Sequence, residues 1–145
     1  MRVLVQRVSS ARVEVDEKAG GQSERGLLLL LGIHRDDKPD QVDWLANKVM
    51  GLRCFTDEAG KMNLSTSDVE GNLLVVSQFT LYALCQNGRR PDFGPTAGPE
   101  IAEPLYERFV DQLRLQFPQV QTGIFGAKMA VHLINDGPVT FLIER

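Results

Sequence analysis

A run of five consecutive leucines, Leu27–Leu31, constrains the fold of this 145-residue chain more than any other feature. The run follows Gly26 and is far shorter than the roughly 20 apolar residues that a membrane-spanning helix requires. An apolar run of this length is typical of a β-strand whose two faces are both buried. A second run of the same character is Leu73–Val76. The sequence therefore predicts two interior strands.

Other segments have the pattern of half-buried strands. Residues 11–16 alternate apolar and charged side chains, which is the period of two expected when one face of a strand is buried. Gly20-Gly21 then predicts a hairpin turn. Met129–Ile134 and Val139–Ile143 are expected to be the two final strands, joined by the polar segment Asn135-Asp136-Gly137-Pro138.

Two segments have the apolar stripe of a helix. Proline favours the first turn of a helix, and Pro39 and Pro99 each precede such a stripe. The stripes consist of Val42, Leu45, Ala46 and Val49 in the first segment, and of Ile101, Leu105, Phe109, Leu113 and Phe117 in the second. The predicted fold class is α+β. We expect a single domain over residues 1–145, with a mainly antiparallel, barrel-like β-sheet and two principal helices.

Composition and charge restrict the classes of function. The net charge is −3 and the isoelectric point is near 5.4, which argues against broad binding of duplex nucleic acid but leaves recognition of an RNA end open. The first residues lack the long apolar stretch and small-residue cleavage site of a signal peptide, so a cytoplasmic protein with reduced cysteines is expected. The long segment 86–99, rich in glycine and proline, is expected to be an ordered functional loop.

Motifs for common catalytic machinery are absent from the sequence. There is no P-loop, no dinucleotide-binding glycine motif and no HExxH zinc motif. His34, His132, Cys54 and Cys85 do not have the local spacing of zinc ligands, so no metal site is expected. The carboxylates of the second helix (Glu100, Glu103, Glu107 and Asp111) are expected to face solvent. A Cys85–His34 nucleophile pair is conceivable, but no flanking residue favours it.

Two polar segments interrupt the strand-like sequence, Ser77-Gln78-Phe79-Thr80-Leu81 and Asn135-Asp136-Gly137-Pro138-Val139-Thr140. Taken singly, the first is a strand end and the second a tight reversal. Together they resemble the signature segments of the D-aminoacyl-tRNA deacylases, also described as D-tyrosyl-tRNA deacylases. The resemblance continues in the same order along the chain, through Gln6-Arg7-Val8, Gly60-Lys61-Met62-Asn63-Leu64, Gly88-Arg89-Arg90-Pro91, Leu105-Tyr106, Thr122-Gly123 and Phe125-Gly126-Ala127. The chain departs from the family pattern at Asp92 and at Gly94-Pro95-Thr96.

This resemblance implies an enzyme that hydrolyses the ester bond of D-aminoacyl-tRNA, and also of glycyl-tRNA, without a metal or organic cofactor. It implies a homodimer with active sites at the subunit interface, which bind the 3′-terminal adenosine and its attached amino acid. Ser77–Leu81 resembles the strand that forms the pocket floor, and Gly137-Pro138 resembles a cis dipeptide that enters the partner's pocket. The implied catalytic residues are Ser77, Gln78 and Thr80, and the implied substrate-binding residues are Arg7, Phe79, Met129, Gly137 and Pro138.

The chemistry of an aminoacyl ester is consistent with this interpretation. The ester is already activated and lies beside a free ribose hydroxyl, so orientation and donors aimed at the oxyanion can suffice. Thr80 is a tempting nucleophile, but no base is recognisable to activate it. We therefore favour assistance by the RNA hydroxyl, with backbone amides near Phe79 and Thr80 holding the oxyanion. Two alternatives stay open, namely an esterase or peptidase that uses Cys85 or Thr80, and a noncatalytic module that binds an RNA end.

Overall fold

The computed structural model describes residues 1–145 and contains eight strands, two α-helices and one short 3₁₀ helix. The strands are β1 (Arg2–Val15), β2 (Lys18–Ser23), β3 (Gly26–Gly32), β4 (Arg53–Thr56), β5 (Met62–Ser65), β6 (Asn72–Ser77), β7 (Gln121–Thr122) and β8 (Met129–Glu144). The helices are α1 (Pro39–Met50) and α2 (Pro99–Arg114), and the 3₁₀ helix spans Phe79–Tyr82.

Six strands form one sheet in the order β2-β1-β3-β6-β7, with β8 on the other edge of β1. The pairs that involve β1 are antiparallel, whereas β3 pairs β6 and β6 pairs β7 in parallel. Strands β4 and β5 form a separate antiparallel pair. The predicted α+β class, with a mainly antiparallel, nearly closed barrel-like sheet and two helices, is confirmed. No helix is both long enough and apolar enough to cross a membrane.

The leucine run lies in the interior, as predicted. Because side chains alternate across a strand, Leu27, Leu29 and Leu31 point into the larger core, which α1 and α2 cover. Leu28 points to the opposite face, into a smaller core formed with residues of β1 and β6. The run is therefore apolar throughout because both faces of β3 are buried.

The helices also follow the prediction. The stripe of α1 is buried, and so are Leu105, Phe109 and Leu113 of α2. The helices are joined on their outer side by an ion pair between Asp43 and Arg108, with a nitrogen–oxygen distance of 2.7 Å. The carboxylates of α2 face solvent as expected. Two residues of the predicted stripe differ: Ile101 is exposed at the first turn of α2, and Phe117 is buried but lies after the helix ends at Arg114.

The turn between β1 and β2 is not where the glycine pair predicted it. The chain reverses at Asp16 and Glu17, which have positive φ angles of 49° and 61°. Gly20 and Gly21 lie inside β2. A Cβ atom on Gly21 would collide with the backbone oxygen of Thr122, so this glycine allows β7 to approach β2 closely.

The last two predicted strands are one element, because both halves of β8 run antiparallel to β1 in the same direction. Gln6 pairs with Thr140 and Val8 pairs with Asn135, so a single β1 residue, Arg7, faces the segment 136–139. This segment is a bulge within β8 that shifts the register with β1, and we call it the β8 arch (residues 136–139). The expectation of a reversal at this point is wrong, because the bulge changes the register without changing the strand direction.

Candidate active site

The segment that was expected to be a strand, Ser77–Leu81, is a strand only at its first residue. Ser77 is the last residue of β6 that pairs with β3, opposite Leu31. The amide of Gln78 still donates to the Leu31 carbonyl at 2.7 Å, and the chain then turns into the 3₁₀ helix. This turn leaves Phe79 56% exposed, so its ring stands at the surface instead of in the core.

A cavity of about 450 Å³ opens beside this turn. Its lining is mainly apolar and comes from β3, the end of β6, the start of α2 and the segment that leads into β8. The lining residues are Leu31, Ile33, Val76, Ser77, Gln78, Phe79, Thr96, Ala97, Pro99, Ala102, Phe125, Gly126, Ala127, Met129 and Val131. The cavity therefore brings together Ser77, Gln78, Phe79 and Met129 of the predicted site.

The polar groups at the cavity are amides and hydroxyls. The Gln78 side-chain amide donates to the Thr80 hydroxyl, and the Thr96 hydroxyl donates to the Phe79 carbonyl at 3.3 Å. The hydrogen bonds of the 3₁₀ helix begin with the Leu81 amide, which donates to Gln78. The amides of Phe79 and Thr80 therefore have no acceptor within the helix. None of the lining side chains is titratable.

Tyr106 of α2 supports the cavity wall from behind. Its hydroxyl donates to the Val75 carbonyl at 3.0 Å, and its ring centroid lies 5.7 Å from that of Phe125, which lines the cavity. Burial raises the pKa of Tyr106 to about 12, so the hydroxyl is a neutral donor at physiological pH. This contact joins β6 to α2 directly behind the wall.

Arg7 lies outside the cavity, under the β8 arch. Its Nε donates to the Asp136 carbonyl at 2.9 Å and lies 3.0 Å from the Asp136 carboxylate. One of its terminal nitrogens donates to the Cys54 carbonyl at 2.6 Å, and the guanidinium lies 5.9 Å from the centre of the Phe55 ring. The Asn135 side-chain amide donates to the carbonyls of Arg7 and Val139, both at 3.1 Å. The arch is thus held at both of its ends.

Gly137 and Pro138 form the exposed top of the arch, and the peptide bond between them is cis, as the resemblance implies. Neither residue lines the cavity. The predicted site residues therefore form two groups within one chain. Ser77, Gln78, Phe79, Met129 and the adjacent Thr80 make the first group, and Arg7 with the arch makes the second.

The remaining chemically reactive side chains lie elsewhere. Cys85 is exposed and outside the cavity, and Cys54 is buried, which raises the pKa of its thiol. His132 lies 3.3 Å from a carboxylate oxygen of Glu14 on the outside of the sheet. His34 packs edge-on against the ring of Tyr82. No three histidine, cysteine, aspartate or glutamate side chains are grouped as metal ligands.

Sequence reasoning assigned no role to Thr96, Ala97 or Phe125, although all three line the cavity. Thr96 and Ala97 are placed by hydrogen bonds from one loop to another, such as that from the Ala97 amide to the Ile33 carbonyl at 3.0 Å. The Phe125-Gly126-Ala127 segment was part of the resemblance, and that was the only signal that could have singled out Phe125.

Comparison with known proteins places these features in a family. The model of the family described as D-Tyr-tRNA(Tyr) deacylase matches residues 4–144. A D-aminoacyl-tRNA deacylase of Thermotoga petrophila is 55% identical over 144 residues, which is 99% of this chain and 97% of the relative. One from Clostridioides difficile is 54% identical with the same coverage of both chains.

Solved structures agree with this match. The structure titled c-Myc DNA Unwinding Element Binding Protein superposes with a TM-score of 0.94 at 39% identity, covering 100% of this chain and 99% of the other. A probable eukaryotic D-amino acid tRNA deacylase shares the fold, with a TM-score of 0.85 at 17% identity over 98% of this chain and 97% of the other. From the family match over nearly the whole sequence and the high identity to its relatives, we conclude that this chain belongs to the D-Tyr-tRNA(Tyr) deacylase family.

Proposed function

We propose that this protein hydrolyses the ester bond between a D-amino acid and the 3′-terminal adenosine of a tRNA, and so removes D-amino acids before translation uses them. The observation that carries the proposal is the match to a deacylase family over residues 4–144. Membership of that family makes the protein a hydrolase. The proposed compartment is the cytoplasm, where aminoacyl-tRNA is used.

The cavity beside Phe79 is the proposed site for the terminal aminoacyl-adenosine. Its volume of about 450 Å³ lies within the range of roughly 300–1,000 Å³ that is common for small-molecule sites. Its apolar walls suit an adenine ring and an aromatic amino-acid side chain. The polar side chains of the lining are only those of Ser77, Gln78 and Thr96, and a small number of polar groups in an apolar wall suits the orientation of a ligand.

The proposed mechanism needs no side-chain base. Water attacks the ester carbonyl, the bond between the acyl carbon and the ribose oxygen breaks, and the ribose oxygen takes up a proton. The adjacent ribose hydroxyl assists this transfer, and the free amides of Phe79 and Thr80 stabilise the oxyanion. Because the Thr80 hydroxyl already accepts a bond from Gln78 and has no basic neighbour in the cavity, we assign it to positioning.

The proposed basis of chiral selection is the β8 arch of a second subunit. In this proposal the protein is a homodimer, and Gly137-Pro138 of each subunit enters the cavity of its partner. A backbone obstacle braced by Arg7 and Asn135 excludes the side chain of an L-amino acid, which a D-amino acid directs elsewhere. Glycine has no side chain to exclude, so glycyl-tRNA, including glycine mischarged on tRNA(Ala), is also proposed to be a substrate.

The test compares D-Tyr-tRNA with L-Tyr-tRNA and follows the release of free tyrosine. We expect the D-form to be cleaved, the L-form to be spared, and Gly-tRNA to be cleaved. Equal rates on the two enantiomers would refute chiral selection, and no release from either would refute the deacylase activity. A chromogenic small ester is the control, because a general esterase would hydrolyse it without RNA.

A further inference from the structure

The segment between Leu84 and Asp92 carries two arginines that have no intramolecular partner. Every other arginine of the chain forms an ion pair, donates a hydrogen bond or packs over an aromatic ring, as Arg2, Arg25 and Arg53 illustrate. Arg89 and Arg90 do none of these and are exposed. Two neighbouring cations without partners, in a chain whose net charge is −3, indicate a local site for an anionic ligand.

This segment has a defined base. The amide of Leu84 donates to the Asp92 carbonyl at 2.8 Å, and the amide of Asp92 donates to the Leu84 carbonyl at 2.9 Å. Residues 85–91 lie between these two bonds and form a projecting loop, which we call the arginine arch (residues 85–91). Gly88, with a φ angle of 75°, is in the left-handed region near its tip. The pair of bonds fixes where the arch leaves the protein.

The base of the arch adjoins the mouth of the cavity. The ring of Phe93, directly after Asp92, lies 5.1 Å from the ring of Phe79, which lines the cavity. Arg90 is three residues before Phe93, so their Cα atoms are at most about 11 Å apart. A polynucleotide that leaves the cavity past the exposed Phe79 would carry its preceding phosphates close to the arch.

The charge of the arch's own stretch of sequence favours phosphate. Asp92 is the only acidic residue between Gly71 and Pro99. Its carboxylate accepts a hydrogen bond from the Gly94 amide at 2.9 Å, which holds it at the base of the arch. The planar guanidinium group binds phosphate oxygens in a two-pronged geometry. We propose that Arg89 and Arg90 bind the phosphates of the nucleotides that precede the terminal adenosine of the tRNA. This inference rests on the proposed function and extends it to a subsite for the RNA backbone.

The experiment uses two substrates that differ in phosphate content, D-Tyr-tRNA and the phosphate-free ester 3′-O-(D-tyrosyl)adenosine. The double variant R89A/R90A is compared with wild type. The matched control is K18A/K48A, which removes the same charge from two exposed residues, Lys18 in β2 and Lys48 at the far end of α1. The charge-preserving variant R89K/R90K tests whether charge alone suffices.

We expect R89A/R90A to lower kcat/KM for D-Tyr-tRNA, relative to kcat/KM for the nucleoside ester, by about tenfold at low salt. The slope of log Kd for the tRNA against log salt should become shallower by about 1.4, because roughly 0.7 counterions are released for each phosphate neutralised on a single strand. The lysine variant should keep most of the slope, and K18A/K48A should match wild type in both measurements.

Two results would overturn the proposal. One is a tRNA salt slope of R89A/R90A equal to that of wild type, which decides the matter even if the nucleoside ester is a poor substrate. The other is an equal loss of kcat/KM on both substrates, which would mean that the arginine arch acts on the cavity and not on the RNA backbone. Failure of the wild-type protein on both substrates would refute the proposed function itself.

Discussion

Arg7 and Arg12 offer a matched test of what holds the β8 arch in place. Both arginines lie on β1, and both have Nε at 3.0 Å from a carboxylate oxygen, that of Asp136 or of Glu14. They differ in burial, because the Arg7 side chain is 9% exposed and the Arg12 side chain is 52% exposed. The change we consider is Arg7→Met, with Arg12→Met as its control.

The structure allows the magnitudes to be estimated. Arg7→Met removes the bonds to the Asp136 carbonyl and carboxylate and leaves the buried Cys54 carbonyl without its donor. The loss of these bonds, together with an unsatisfied buried acceptor, should lower the free energy of unfolding by about 3 kcal/mol. An exposed ion pair such as that of Arg12 contributes only about 0–1 kcal/mol. For a chain of this size, 3 kcal/mol corresponds to a fall in Tm of about 10 °C.

The assay is urea denaturation of both variants at one protein concentration, since the stability of the proposed homodimer would depend on concentration. We expect a large fall in the midpoint for Arg7→Met and a small one for Arg12→Met, with similar m-values. If the arch excludes L-amino acids as proposed, Arg7→Met should also reduce the ratio of D-Tyr-tRNA to L-Tyr-tRNA hydrolysis. Equal destabilisation by the two substitutions would show that the buried contacts beneath the arch contribute no more to stability than an exposed ion pair does.

Three further predictions concern the site and its support. Thr80→Ala should keep measurable deacylation, whereas a tRNA that ends in 2′-deoxyadenosine should react far more slowly; isolation of an acyl-enzyme on Thr80 would contradict the assignment of this residue to positioning. Cys85→Ser should leave the rate nearly unchanged, and so should exhaustive chelation; loss of activity that one added metal ion restores would count against the cofactor-free mechanism. Tyr106→Phe should lower the free energy of unfolding by about 1 kcal/mol at neutral pH, since the 3.0 Å bond to the Val75 carbonyl is lost. Because burial raises the pKa of Tyr106 from 10.0 to about 12, the stabilisation is full below pH 10 and is lost as the pH rises towards 12. The phenylalanine variant should therefore lose less stability than wild type over that interval, which unfolding curves at several pH values would measure.

The elements that could be predicted well from the sequence are those in which the pattern of apolar residues within the element itself indicates which side chains are buried. The leucine run and the stripe of α1 are apolar in a pattern that matches one secondary structure. The glycine pair of β2 was misread because Gly21 is required by the approach of Thr122, which lies far away in the sequence. The single strand β8 was read as two because the bulge between Asn135 and Thr140 contains residues that are typical of a reversal.

The candidate site shows the same contrast between features that a local sequence pattern reveals and features that depend on distant contacts. Ser77, Gln78, Phe79 and Met129 could be predicted only through the family resemblance, because no local pattern distinguishes a cavity-lining residue from an ordinary strand end. Thr96 escaped prediction because its place depends on contacts with other loops, including its hydrogen bond to the Phe79 carbonyl. Long-range contacts of this kind leave no periodic signal in the sequence.

The position of β8 beside β1 affects when the protein can fold during synthesis. The ribosome makes β1 before the other elements and β8 after them, yet the two strands pair along nearly their whole length. Contacts between segments so distant in sequence slow folding, because a long loop must be closed before they can form. The nascent chain must therefore hold one whole edge of β1 unpaired until β8 emerges, and during that time the edge is open to aggregation or chaperone binding. The arch with Gly137-Pro138 lies on β8, so a chain interrupted before this strand lacks it altogether.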